Sequence, residues 1–181
     1  IHRQRGLTVK VIPANLLYNE FSSGTPDANA LRRYLKMLYD RAATPDKAPR
    51  YLLLMGKSPW DNRFVTEEWK RLSVDDYLLA YEYDASTQSI GTVSSFVTDD
   101  FYALLDDGEG KYIYSEKVDL STGRMVCTTE EEAKILVDKV ERYLKNEDAG
   151  PWKNRIVMMA DDGDSNEHAE DAERVSTSLA N

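Results

Sequence analysis

The chain contains a single cysteine, Cys127, so no disulfide can form within it and its redox compartment stays open. Histidine is almost as scarce: His2 and His168 are the only two, too few for the usual zinc centre. No apolar run approaches the ~20 residues that a membrane-crossing helix needs, and no glycine-rich phosphate loop is present. Positive charge is in deficit. Lys and Arg number 23 against 32 Asp and Glu, and the net charge of −9 leaves no basic face for nucleic-acid phosphates. Such a balance fits a secreted or cell-surface protein, or one that uses cations. What remains is ordinary for a globular protein, and 181 residues suffice for one domain with a proper core and part of a second.

The chain is organised around residues 96–124. An apolar run over 101–105 reads as a buried strand, followed by a turn of Asp106, Asp107, Gly108, Glu109 and Gly110. A turn so rich in carboxylates must face water or hold a cation. Further strands are predicted near 111–114 and 118–120, and 119–124 reads as a turn ending in Gly-Arg.

On the amino-terminal side, alternation over 7–12 (LTVKVI) predicts a strand ended by Pro13, and 14–21 a short helical or loop connection. Thr25 as cap, with Pro26 and Asp27, starts a helix to about Arg41 whose apolar face is Leu31, Tyr34, Leu35 and Leu38. The continuous apolar run 51–55 (YLLLM) predicts an internal strand covered on both faces, completing a βαβ unit. A loop with Pro59, Trp60 and Asp61 follows at the carboxyl end of that strand, where α/β proteins place their chemistry. One or two helical turns are predicted over 66–72, a strand over 77–83 and a loop over 88–95.

After the central stretch, Thr128 or Thr129 with Glu130–Glu132 caps a helix to about Asn146, with a stripe of Ala133, Leu136, Val137, Val140 and Leu144. A strand is then predicted over 155–160 (RIVMMA), an acidic loop over 161–168 and a last helix with Ala172, Val175 and Leu179 on one face. The expectation is a chain that starts without Met and stops inside this helix because it is a fragment.

Among candidate chemical groups, the loop 161–168 stands out: four acids and His168 directly follow an apolar run, and hard oxygen ligands at short spacing suit calcium or magnesium. A solvated acidic loop at a helix N-terminus is the blander reading and the one residue types favour. The 106–109 turn is calcium-like in composition without EF-hand spacing. Asp99 and Asp100 would point to opposite faces of a strand, one of them as a cap or surface acid. Cys127 reads as a small buried thiol, since a nucleophilic cysteine needs a base and none is near in sequence. Trp60 and Trp69 read as packing residues. A receiver-like domain fails on order, because too little chain follows the VMMADDGD segment.

Taken in order, the segments LTVKVIPANLLYNEFSSGTPDANALRRYLKMLYD, PRYLLLMG, SSFVTDDFYALLDD, VDLSTGRMVCTTEEEAKILVDKVERYL and GPWKNRIVMMADDGDSNEH resemble the gingipain-type cysteine peptidases, in particular their sortase-like branch of type IX secretion. The resemblance covers the chain from about Leu7 onward. It implies a caspase-like α/β three-layer sandwich of two subdomains, the first over residues 1–150 and the second starting over 151–181.

It also implies a Cys-His dyad, with the histidine in a Gly-His-Gly turn, beyond residue 181, so no catalytic residue lies here and Cys127 is not the nucleophile. Calcium is the implied cofactor, held by Asp106, Asp107 or Glu109 of the turn and by Asp162 or Asp164 with His168 of the loop. A third acid of the family's site is missing, because Lys57 stands after Gly56 where it is expected, and its ammonium could replace the cation. Asp164 and Ser165 match the place where basic-specific members recognise the substrate side chain. The implied partners are a polypeptide substrate and the rest of the catalytic domain. The implied location is secreted, periplasmic or at the cell surface. The alternative is a non-catalytic acidic α/β module that binds a cation or a basic partner.

Overall fold

The computed structural model describes residues 1–83 and 96–180, and the loop expected over 88–95 lies outside the described residues. The chain divides into two compact units, Ile1–Glu141 and Arg142–Asn181. The division falls inside a helix. The last turn of that helix is tied to the segment just after it: Arg142 pairs with Asp148 at 2.7 Å, and Lys153 lies 4.3 Å from the centre of the Tyr143 ring.

In the first unit, the segment left open between helix and loop is a helix, α1 (Ala14–Phe21), and α2 (Ala28–Asp40) forms as the pattern predicts. The cap of α2 is Asp27 and not Thr25: its carboxylate accepts the Asn29 N–H at 2.9 Å. The α2 stripe buries Leu31 and Leu35 against Leu54, Phe101, Tyr102, Leu104, Leu105 and Leu120. β1 (Tyr51–Met55) sends Leu52 and Leu54 toward this core, and leaves Tyr51, Leu53 and Met55 exposed on its other face.

The parallel partner of β1 is β4 (Ser121–Met125), in register from Tyr51↔Ser121 to Met55↔Met125. The sequence reads 121–124 as part of a turn, since Ser-Thr-Gly-Arg has little strand character of its own. The apolar neighbour β1 overrides that local preference. Residues 7–12 form no ladder and no regular element, with Val11 exposed. The predicted βαβ unit is therefore not built from them.

The run 101–105 is buried throughout, yet it is not a strand. Asp100–Ala103 is a 3-10 turn, closed by the Tyr102 N–H on the Asp99 carbonyl at 3.1 Å. Burial on every side does not distinguish a short strand from a short helical turn. Residues 111–114 and 118–120 form turns and bends rather than strands, and 66–72 form turns and bends without a helix. β2 (Tyr81–Tyr83) pairs antiparallel with β3 (Phe96–Thr98).

α3 (Glu130–Lys145) starts on a capping box. The Thr129 hydroxyl accepts the Glu132 N–H at 3.2 Å, and the Glu132 carboxylate accepts the Thr128 N–H at 2.7 Å. In the second unit, 155–160 is exposed and forms no strand. α4 (Glu167–Ala180) follows the acidic loop.

Candidate functional site

Parallel α/β sheets present their ligands to the carboxyl ends of the strands. At that end of β1 and β4 the chain is tied by the Gly56 N–H on the Met125 carbonyl and the Lys57 N–H on the Cys127 carbonyl, both at 2.9 Å. The knot beneath is Arg124, with its side chain 9% exposed. Its guanidinium has five N–H donors, and each finds an acceptor. Nε and Nη2 fork onto Asp99 at 2.8 and 2.6 Å, Nη1 reaches the carbonyls of Gly56 and Leu78 at 2.9 and 2.8 Å, and Nη2 reaches that of Leu79 at 3.1 Å. One side chain thus ties together separate segments of the chain. Tyr102 donates to the same Leu79 carbonyl at 2.6 Å, and burial, with Asp99 nearby, pushes its phenol above the ordinary range.

The loop that leaves β1 is shaped by Asp61, a buried carboxylate. Burial pushes its pKa up, but the N–H groups it accepts from Thr66, Arg63 and Val65 outweigh this and hold it below the usual carboxylate range. The loop encloses an aromatic cluster. Trp69 is buried and meets Phe64, Tyr77 and Trp60 at ring separations of 5.7, 5.2 and 6.4 Å. Phe64 carries a left-handed φ of 54°, a strained state for a bulky residue.

Cys127 is buried as expected, and its thiol faces the Met125 carbonyl at 3.6 Å. The N-terminus of α3 beside it is closed by its own Glu132. The same carboxylate is lowered by its bonds to Thr128 and Thr129 and, more weakly, by the charge of Lys57.

The turn at Asp106 and Glu109 sits at the other end of the strands. The Tyr39 hydroxyl donates to Asp106 at 2.8 Å and lies 3.5 Å from Asp119, and the bond to Asp106, with some burial, raises its pKa to about 12. Glu109 accepts the Asp106 N–H at 3.0 Å. Asp107 pairs with Lys36 at 2.8 Å, and Lys36 also holds Asp40 at 2.7 Å. Arg32 braces the turn from below, bonding the Leu104 and Glu109 carbonyls at 2.8 Å each.

Asp119 leads into the start of β4 and Lys57 lies past the end of β1, so the five-residue ladder between them sets the two ends roughly 16 Å apart at ~3.3 Å per residue. Lys57 therefore does not reach this turn. The ammonium that does is Lys36, which helical spacing on α2 could have flagged only with the turn already in place.

In the second unit, Asp164, Ser165 and Asn166 carry left-handed φ values of 49°, 60° and 67°. This turn brings His168 Nε2 to 3.5 Å from an Asp164 carboxylate oxygen, both side chains being exposed. Among the described residues, no group of three or more His, Cys, Asp or Glu side chains is gathered that could hold a metal ion. Reading residue types also missed the Asp99–Arg124 pair and the capping role of Asp61. The available signal was a lone arginine beside a glycine next to an apolar strand.

The family model of peptidase family C25 matches residues 1–181. A solved chain, that of the crystal structure of dimeric latent PorU from Porphyromonas gingivalis, matches with 35% identity and a TM-score of 0.68 over 93% of this chain. The match spans only 16% of the PorU chain. No curated protein matches.

Proposed function

Because this chain belongs to peptidase family C25, we propose that it is the amino-terminal part of a gingipain-like cysteine peptidase. It shares the mixed α/β, caspase-like fold of the family. In this reading the parent protein cleaves polypeptides with a Cys-His dyad carried beyond residue 181, and belongs to the sortase-like branch of type IX secretion. The observation that carries the reading is the match to the family over residues 1–181. The tie that Arg124 makes between Asp99 and the carbonyls of Gly56, Leu78 and Leu79 agrees with a supporting subdomain. Among the described residues no helix is long and apolar enough to cross a membrane, and a secreted, periplasmic or surface location is proposed with the peptidase role.

The test uses the full-length protein. Replacing the histidine of a Gly-His-Gly turn downstream of residue 181 is expected to lower kcat/KM on peptides by roughly 10⁴-fold, as for removal of a covalent-catalysis group. A gene with no such histidine and cysteine, or a variant with unchanged cleavage, would overturn it. Binding of basic polypeptides without cleavage would favour the acidic-module alternative. Recognition of a basic substrate side chain is assigned in the proposal to Asp164 with Ser165.

Calcium at the 106–109 turn is the other element that the family implies. The turn is a poor fit for it as it stands. Asp107 already holds the Lys36 ammonium, Asp106 accepts from Tyr39, and Glu109 accepts a backbone N–H of its own turn. Lys36 has its pKa raised, first by its bond to Asp107 and then by that to Asp40, so it stays charged across the working pH range. We expect the melting temperature of the chain to be indifferent to chelator, and Lys36→Ala to acquire a calcium-dependent rise by mass action. A chelator-sensitive melt of the unsubstituted chain would restore calcium to the site.

A further inference from the structure

Resting on the peptidase reading, we propose that Trp60 is a specificity-determining wall that receives an aromatic or long aliphatic side chain of the polypeptide substrate. Trp60 is 50% exposed, although it stands between two buried neighbours, Pro59 and Asp61. Its backbone is thus anchored on both sides while its indole faces out. Large aromatic side chains in that state are the usual anchors of binding surfaces.

The indole is also held in place. It stands edge-on to Trp69 at an interplanar angle of 85°, and Trp69 is packed between Phe64 and Tyr77. Asp61 collects the N–H groups of Arg63, Val65 and Thr66, and this closed turn forces Phe64 into its left-handed backbone state. Strain of this kind persists where the surrounding structure over-determines it, with functional sites over-represented. Here the strained residue completes the base on which Trp60 rests. A preorganised ring loses little freedom on binding.

Val65 and Leu72 of the same loop are exposed as well. The loop leaves β1 at its carboxyl end, the side on which α/β sheets bind ligands. Its charges are mixed, with Lys57, Arg63, Lys70 and Arg71 set against Glu67, Glu68, Asp75 and Asp76 in sequence, and the remaining acid, Asp61, is buried and occupied by backbone N–H groups.

The experiment compares the full-length protein with Trp60→Ala and Trp60→Phe on peptides varied one position at a time. For peptides with an aromatic or long aliphatic residue at one subsite, Trp60→Ala is expected to raise KM about 10-fold, in the range that loss of an apolar pocket contact produces. kcat should stay unchanged, alanine-bearing peptides should be nearly unaffected, and Trp60→Phe should restore most of the difference. Equal losses for every peptide, a selective loss for arginine or lysine peptides, or no change at all would each overturn the proposal while leaving the peptidase reading intact. A full-length protein that cleaves no peptide would overturn both.

Discussion

Asp99→Ala is expected to destabilise the chain by about 3–5 kcal/mol, the range found when one partner of a buried ion pair is removed. The urea midpoint should fall accordingly, with the slope unchanged. The Asp99 side chain is 21% exposed and that of Arg124 9%, so water replaces the lost carboxylate poorly. The guanidinium would keep its three carbonyl acceptors at Gly56, Leu78 and Leu79 but carry an uncompensated charge. Arg124→Met removes the charge and leaves those carbonyls without their donor, each a loss of about 1–3 kcal/mol if no water enters. The double variant should therefore be far less destabilised than the sum, with a coupling of roughly 2 kcal/mol in a double-mutant cycle. Arg124→Lys should not rescue, because an ammonium offers three donors without the planar fork. Additive single effects would show that the pair is incidental and that Arg124 acts through packing alone.

That pair also marks where reading residues alone stopped. The helices α2, α3 and α4 were legible because their stripes and caps are local: Leu31 and Leu35 repeat at helical spacing, and Thr129 with Glu132 forms its box within four residues. β1 was legible because five apolar residues in a row have few other homes. β4 was not, since Ser121–Met125 becomes a strand only by lying beside β1. The run 101–105 was rightly seen as buried and wrongly as extended. The acids were legible as a group but not in their partnerships: Asp99 to Arg124, Asp107 to Lys36 and Asp61 to its own loop are set by tertiary placement. The family was legible because the order of its segments survives in the linear chain.

The second large effect is expected at Gly56, the residue that turns the chain from β1 into the Trp60 loop. Its φ is +150°, and a Cβ built there would sit 2.9 Å from the Leu78 Cβ. Neither side can give way easily. The Leu78 N–H is bonded to the Lys57 carbonyl at 2.9 Å, and Arg124 holds the carbonyls of both Gly56 and Leu78. Gly56→Ala should cost roughly 1–3 kcal/mol from overpacking and a further ~1–3 kcal/mol from a backbone state that only glycine adopts freely. Gly123 in β4 is the internal control. It has nothing within 4 Å of an added Cβ and an ordinary φ, so Gly123→Ala should be neutral or slightly stabilising. Thermal unfolding of the two variants side by side decides the matter, and equal shifts would refute the contact. Beyond stability, Gly56→Ala pushes on the backbone that carries Lys57, Pro59 and Trp60. Where the protein still folds, its peptide selectivity should therefore shift in the same direction as that of Trp60→Ala, linking the turn at the end of β1 to the wall it positions.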